Sequence, residues 1–416
     1  MTAAADPSGI VVMKFGGTSV ADAGGRAAIV RRVTEALELT RHPVVVVSAM
    51  GRTGAPYATD TLLGLVDGLP ADAREHDLLM ATGELIAAVV VAHELRAAGI
   101  GARAYSGPEA GIGTDGVHGS SAVTEIHPGS LLAAIDEGVV PVVAGFQGMS
   151  GDGRLTTLGR GGSDTSACAI GVALGADAVE IYSDVDGVMT ADPRACESAG
   201  VLQVIGADEL FQLAKHGSRI VHTSAAELAL SSGLALRVRN TFSDHPGTLV
   251  SDIAAYKPDR VATAVSHATG IVRFQVALPA DEGTPAHMAA QTRVYRAMAD
   301  ADVSLDMFTP IGRALVFSLA EDSRERAESV LGELGLAHDT TSGLSKITLV
   351  GAGMHGVPGV MARMAECLAD AGVSVLQTAD SHTTISVLVP AADTSLAIHA
   401  LHAGFELTGG DSAPSA

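Results

Sequence analysis

Three glycine-bearing segments gather residues that could bind phosphate and carboxylate groups. The first is Lys14-Phe15-Gly16-Gly17-Thr18-Ser19, between an apolar run and a helical stretch. Its glycines let the backbone approach an anion, a helix start offers free N–H groups, and Lys14 adds positive charge. The lysine precedes the loop, so this is not the P-loop pattern. The second is residues 156–166 (TTLGRGGSDTS), where Gly159, Gly161 and Gly162 surround Arg160 ahead of Ser163 and Asp164. Arg160 can grip a carboxylate in a bidentate fork, and Asp164 can hold an ammonium. The third is residues 180–194 (EIYSDVDGVMTADPR), which sets Ser183, Asp184 and Asp186 beyond an apolar strand and ends in Asp192-Pro193-Arg194. Glu84, in the apolar stretch LLMATGEL, would be costly without a partner, and an ammonium suits it.

Each of these also has an ordinary structural account. A strand ending in Lys-Phe-Gly-Gly is more often a tight turn than a phosphate site. Ser163 or Asp164 can serve as an N-cap, and turn chemistry covers Asp186-Gly187 and Asp192-Pro193. Glu84 could lie on a helix surface. The three segments weigh more together, because they fall at strand ends of one sheet, where ligands gather in open parallel sheets.

That sheet can be read from the elements around the segments. Residues 10–15, 43–49, 139–146 and 178–182 are apolar runs that predict buried strands. Residues 77–98 and 163–174 predict helices, as does the stretch from the Gly-Gly turn to about Thr40. The alternation predicts an α/β fold, a mostly parallel sheet with helices on both faces. A polar stretch at residues 251–262 marks a domain boundary. Beyond it, strands are predicted at 271–278 and 314–319 around a helix at 291–301. A second cycle follows: strand 346–350, helix 359–371, strands 373–377 and 384–389, and helix 395–403. "MADADVSLDM" (298–307) and "LADAGVSVLQ" (368–377) correspond, so the two units read as an imperfect repeat.

Composition narrows the function class. A length of 416 residues suggests two or three domains. A net charge of −21 argues against nucleic acid and anionic membrane surfaces, but not against ATP, which needs only local cations. No uninterrupted apolar run approaches the roughly 18 residues of a membrane span, and the N-terminus lacks signal-peptide features. Cys168, Cys196 and Cys367 are too scattered for a disulfide framework or metal site. The expectation is a soluble cytoplasmic protein.

KFGGTSV, VSAMG at residues 47–51, TTLGRGGSDTSA and IYSDVDGVMTADPR, in this order and spacing, resemble the aspartate kinase family. GTLV at 247–250 and VGAGMHGVPGV at 350–360 extend the resemblance over essentially the whole chain. It implies the amino acid kinase fold at residues 1–250, then two ferredoxin-like ACT units at 263–342 and 343–410. The implied activity is transfer of the ATP γ-phosphoryl group to the β-carboxylate of L-aspartate, opening the route to lysine, diaminopimelate, threonine and methionine. Lys14, Arg160 and Asp164 would be catalytic. Lys14, Phe15, Gly16, Gly17, Ser48, Ser183, Asp184, Met189, Asp192, Arg194 and Arg219 would bind ATP. Thr59, Asp60, Glu84, Arg160, Gly161, Gly162, Ser163 and Asp164 would hold aspartate. Mg²⁺ would ride on phosphate and water, so no protein metal ligand is expected.

The resemblance also implies an amino-acid effector, lysine, diaminopimelate or threonine, and a homodimer or larger homo-oligomer built through the ACT units. Effector contacts would come from Met354, Val357, Pro358, Gly359 and Val360, facing Ser374, Val375, Asp380 and Ser381. The chain departs from the family at two catalytic-side segments. Ser120, Ser121 and Ala122 replace Asn-Ala-Arg after His118-Gly119, and Arg219 and Ser224 stand where Lys and Arg are common. The first ACT unit departs at residues 308–313 (FTPIGR), which lack the usual Asn-rich turn. These departures keep open a divergent paralogue with altered activity, whereas the paired C-terminal units speak against another carboxylate kinase and intact Lys14, Arg160 and Asp164 speak against a purely sensory protein.

Overall fold

The computed structural model describes residues 9–70, 72–217, 221–251, 261–279, 281–354 and 356–407. Its centre is an eight-stranded sheet in the order Val204–Gly206, Thr248–Ser251, Leu236–Asn240, Ala178–Ser183, Ile10–Phe15, His42–Val47, Val140–Ala144, Ala102–Tyr105. Only Leu236–Asn240 and Thr248–Ser251 pair antiparallel. The strand alternation sends Val12, Val44 and Val46 into one core layer and Val11, Met13, Val45 and Val47 into the other. Both faces are therefore covered, which is why these strands read as continuous apolar runs.

Helix Gly162–Leu174 covers the first face, and Ala23–Glu38 and Ala73–Ala97 cover the second. The last begins four residues before its expected start because Asp72 caps it, accepting from the Arg74 and Glu75 N–H groups. By length and composition alone this helix could cross a membrane. Here it is a core helix, with Ala87, Ala88, Val91 and Leu95 buried against the sheet. A second, four-stranded sheet (Val123–Ile126, Ile112–Thr114, Gln147–Ser150, Leu155–Thr157) was not expected. Its strands are short and partly polar, and carry no period long enough to read.

The C-terminal region forms one six-stranded antiparallel sheet, in the order Asp306–Ile311, Ala314–Ala320, Ala264–Ala277, His338–Val350, Thr384–Pro390, Gln377–Asp380. The two predicted repeats share its two long central strands. His338–Val350 runs through the expected boundary at residues 342 and 343, and pairs with Ala264–Ala277 over nearly its whole length. The strand predicted at 373–377 starts only at Gln377. Gly372, in the left-handed region at φ 73°, ends helix Val360–Asp370, and Val373 N–H turns back to the Leu368 carbonyl. The expected boundary segment at 251–262 lies largely outside the described residues, as do Arg219, His355 and the final tail.

Kinase and C-terminal regions are joined through buried contacts. Ala191 and Cys196, from the loop after strand Ala178–Ser183, pack in one core with Met364, Leu368, Ile398 and Leu401. His402 Nε2 lies 2.9 Å from Thr190 Oγ1, and Val265 N–H donates to the Thr190 carbonyl at 2.8 Å. Glu209 is wholly buried and accepts from Gly206 N–H, Thr263 Oγ1 and Ala352 N–H. Glu209→Ala would leave three donors without their acceptor and should destabilise the chain by about 2–4 kcal/mol. Urea unfolding followed by circular dichroism checks this, and an unchanged midpoint would show the carboxylate to be dispensable.

Candidate active site

Two of the three segments expected at strand ends of one sheet come together, but the Arg160 segment follows strand Leu155–Thr157 of the four-stranded sheet and not the central one, because the short second sheet could not be read from the sequence. Lys14 is the penultimate residue of strand Ile10–Phe15, and Asp164 lies in the first turn of helix Gly162–Leu174. Lys14 Nζ stands 2.6 Å from Asp164 Oδ1, with the two side chains 12% and 10% exposed. Asp164 Oδ2 also accepts from His222 N–H at 3.3 Å. The carboxylate expected to hold an ammonium thus holds one of the chain's own.

The glycines are there for close approach. Gly161 has φ 70°, and a Cβ on it would fall 2.0 Å from His222 Cγ. A Cβ on Gly17 would fall 2.6 Å from the Gly51 carbonyl oxygen. Larger residues at either place would push apart the two loops that define the site. Phe146, which lines the same cleft, has φ 68°, a strained conformation for a non-glycine residue.

A cleft of about 570 Å³ opens over this floor. It is lined by Lys14, Gly17, Ser48, Thr59, Asp60, Glu84 and the run from Gly159 to Asp164. Arg160 is exposed on its rim and forms no hydrogen bond among the described residues. Glu84 is buried, with Oε1 accepting from Ala49 N–H at 3.1 Å and Oε2 without a partner. Burial pushes its carboxyl up to about 7, against the pull of backbone N–H groups, that of Ala49 first.

Other expected site residues lie apart from this cleft or play a different part. The Phe15 ring is fully buried and stacked on Tyr182 with centroids 4.7 Å apart, so only its backbone could face a ligand. Ser183 ends the neighbouring strand, where the Gly16 N–H donates to the Tyr182 carbonyl at 3.3 Å. Asp184 pairs with Arg52 at 2.9 Å. Asp192 pairs with Arg194 at 2.8 Å, and Met189 bridges to Val201. None of these five lines the cleft. Among the expected effector residues, Met354 and Val360 are buried in the C-terminal core. Val357, Pro358, Gly359, Ser374, Val375, Asp380 and Ser381 are exposed, the last two at the end of edge strand Gln377–Asp380.

Sequence reasoning missed several members of the site: Met80, Gly119 and Phe146 in the lining, and Asp77 behind it. A signal for two of them existed. Asp77, Met80 and Glu84 are spaced i, i+3, i+7, one face of a helix. For Phe146, whose role depends on an unusual backbone angle, there was none.

A lysine–carboxylate pair, glycine-rich loops and an exposed arginine thus share one cleft beside the C-terminal end of a central parallel strand. A model of the amino acid kinase family matches residues 9–240, and a model of the ACT domain matches residues 339–403. Aspartokinase 1 of Bacillus subtilis is 41% identical over 406 residues, covering 96% of this chain and 99% of its own length. The aspartokinase of Mycolicibacterium smegmatis is 38% identical over 423 residues, covering 97% and 98%. The structure of E. coli aspartokinase III in complex with aspartate and ADP superimposes with a TM-score of 0.79 at 22% identity, covering 95% of this chain and 100% of that one. The chain belongs to the amino acid kinase family and, within it, to the aspartokinases.

Glu84 gives the site a stability signature. Its folded-state value, about 7, lies above its ordinary 4.5, so the protonated form favours the fold. That stabilisation is complete below about pH 4.5 and is lost as pH rises through about 7. Glu84→Gln should therefore raise the melting temperature at about pH 8 and flatten its fall between about pH 5 and 8. Thermal melts across pH check this, and a variant that keeps the wild-type slope would place the titration elsewhere.

Proposed function

We infer that this chain is an aspartate kinase that transfers the γ-phosphoryl group of ATP to the β-carboxylate of L-aspartate, giving 4-phospho-L-aspartate and ADP. The observation that carries this is the cleft itself, where the Lys14–Asp164 pair, Arg160 and the unpartnered Glu84 face one volume. L-Aspartate offers two carboxylates and one ammonium. Arg160 can clamp a carboxylate, and Glu84, ionised, can take the ammonium that its buried Oε2 lacks. The β-carboxylate is already ionised at neutral pH, so no general base is needed.

On this reading Lys14 neutralises charge developing on the transferring oxygens, and Asp164 keeps its ammonium aimed and desolvated before the nucleotide arrives. Backbone N–H groups after Gly16 and at the start of helix Gly162–Leu174 cradle the phosphates. The metal, Mg²⁺, comes with the nucleotide as part of the substrate. Its coordination would come from phosphate oxygens and water, as Mg²⁺ prefers. On this reading Ser183, Asp184, Met189, Asp192 and Arg194 would contact the nucleoside. An ATP-dependent enzyme would work in the cytoplasm, which cell fractionation would check.

Hydroxylamine trapping of the acyl phosphate, with aspartate, glutamate and acetylglutamate compared, tests the assignment. Aspartate hydroxamate should form with wild type, and Lys14→Ala should be slower by a factor on the order of a hundred. Equal rates on all three acids, or none on aspartate, would overturn the substrate. Arg160→Lys replaces a fork by a point charge. It should raise the KM for aspartate far more than that for ATP, and matched changes would remove Arg160 from the clamp.

The edges of the six-stranded sheet, Asp306–Ile311 and Gln377–Asp380, are unpaired, with Phe308, Ile311 and Val375 exposed beside them. Pairing with a second chain is the ordinary way to cover such edges, and an amino-acid effector held there completes the regulatory reading. Sedimentation and activity measured with lysine, threonine and diaminopimelate should show an oligomer inhibited by at least one of them. A monomer indifferent to all three would sink this part alone.

A further inference from the structure

We infer that Asp77 is a positioning residue that sets the amino-acid side of the cleft, an inference that rests on the kinase reading above. Asp77 is wholly buried in helix Ala73–Ala97, one face with the cleft residues Met80 and Glu84. The helix itself does not need it, because Asp72 already caps the N-terminus. A buried carboxylate is expensive unless its lone pairs are used. Asp77 forms no ion pair with lysine or arginine among the described residues, and its partners are all on the substrate wall. Oδ1 accepts from Gly119 N–H at 3.0 Å and from the Thr157 hydroxyl. Oδ2 accepts from His118 Nδ1–H at 2.6 Å, and Gly119 N–H lies 3.2 Å from it.

Those partners lead directly to Arg160. Ser121 N–H donates to the Thr157 carbonyl at 2.9 Å, which ties the His118–Gly119 loop to strand Leu155–Thr157. The same loop packs on the glycine segment, since a Cβ on Gly159 would meet Ser120 Cα at 3.5 Å. Gly159 precedes Arg160. One carboxylate thus fixes the height of a wall, the loop lying on Gly159, and the strand that feeds Arg160 into the cleft. It does so for the loop whose Ser120, Ser121 and Ala122 depart from the family pattern. No contact of Asp77 runs toward Ser183 or Ser48, so its effect should fall on the amino acid and not on the nucleotide.

The test is the split between two Michaelis constants. Wild type is assayed first with aspartate and with glutamate. Whichever acid is accepted decides the substrate reading, and the KM for that acid decides the role of Asp77. Asp77→Ala should raise that KM roughly tenfold or more while the KM for ATP stays within about twofold, the signature of a misplaced clamp. Asp77→Asn keeps a carbonyl oxygen for the Gly119 N–H and should recover part of the loss. Thr157→Val removes one of the bonds without touching the charge and should raise the same KM severalfold. Should Asp77→Ala not fold, the Asn and Val variants carry the same split. Both constants rising by one factor, or a lowered melting temperature with neither constant changed, would overturn the inference and leave Asp77 a purely structural residue.

Discussion

Lys14 and Asp164 hold opposite charges 2.6 Å apart in a place where little water reaches either, and the catalytic domain is arranged around keeping them there. Withdrawing two charges from water costs several kcal/mol each, and mutual attraction offsets this only when the geometry is good. The geometry comes from two rigid elements. Lys14 is anchored in a central strand paired on both sides, with Val46 and Ile181 as its register partners. Asp164 is anchored in a helix whose start is forced close by Gly161, because His222 occupies the space a side chain would need. Moving either element by an ångström would leave a buried charge unpaired, so the pair selects for the glycines, the strand order and the valine-rich layers beneath.

The same logic extends to the sensor. The loop after strand Ala178–Ser183 is half catalytic domain and half C-terminal core, since Thr190 meets His402 while Ala191 and Cys196 pack among the C-terminal apolar residues. Glu209 closes the junction with hydrogen bonds to both sides. A packed, fully hydrogen-bonded junction does not deform gradually; it has a few discrete arrangements. On the proposed reading, an effector that prefers one arrangement can bias that loop only through a real difference in contacts, and Thr190–His402 and Glu209 are contacts that span the junction.

Much of this was legible in the sequence because burial on both faces writes long apolar runs, and because glycine clusters mark places where backbone must approach something. The strands expected at 10–15 and 178–182, the helix expected at 163–174 and the meeting of Lys14, Arg160 and Asp164 followed from those two signals, while Glu84 was joined to them only through the family resemblance. What stayed hidden has physical reasons too. Strands such as Ile112–Thr114 are three residues long and cannot show a period. Of the shared strand His338–Val350 only residues 346–350 were legible, because the first half is polar and exposed and only the second half is buried. Val373 looked like a strand residue because a helix-ending glycine and a strand start both precede a buried valine, and only the hydrogen bond to Leu368 separates them. Asp77 shares a helix face with Met80 and Glu84, but that spacing gives its place and not its role, which depends on partners distant in sequence.

The partners of the two carboxylates in this cleft differ in a way that bears on the proposed chemistry. Asp164 has the Lys14 ammonium beside it, whereas Glu84 has no cation paired with it among the described residues and burial pushes its carboxyl up to about 7. On the proposed reading, an arriving ammonium supplies Glu84 with the partner that Asp164 already has. Binding then ionises the acid, converting its desolvation penalty into selectivity for an amino group. A dicarboxylate without that group would leave Glu84 protonated and Arg160 as the sole polar anchor. The discrimination would follow from burial of one oxygen, Oε2, which no group among the described residues satisfies.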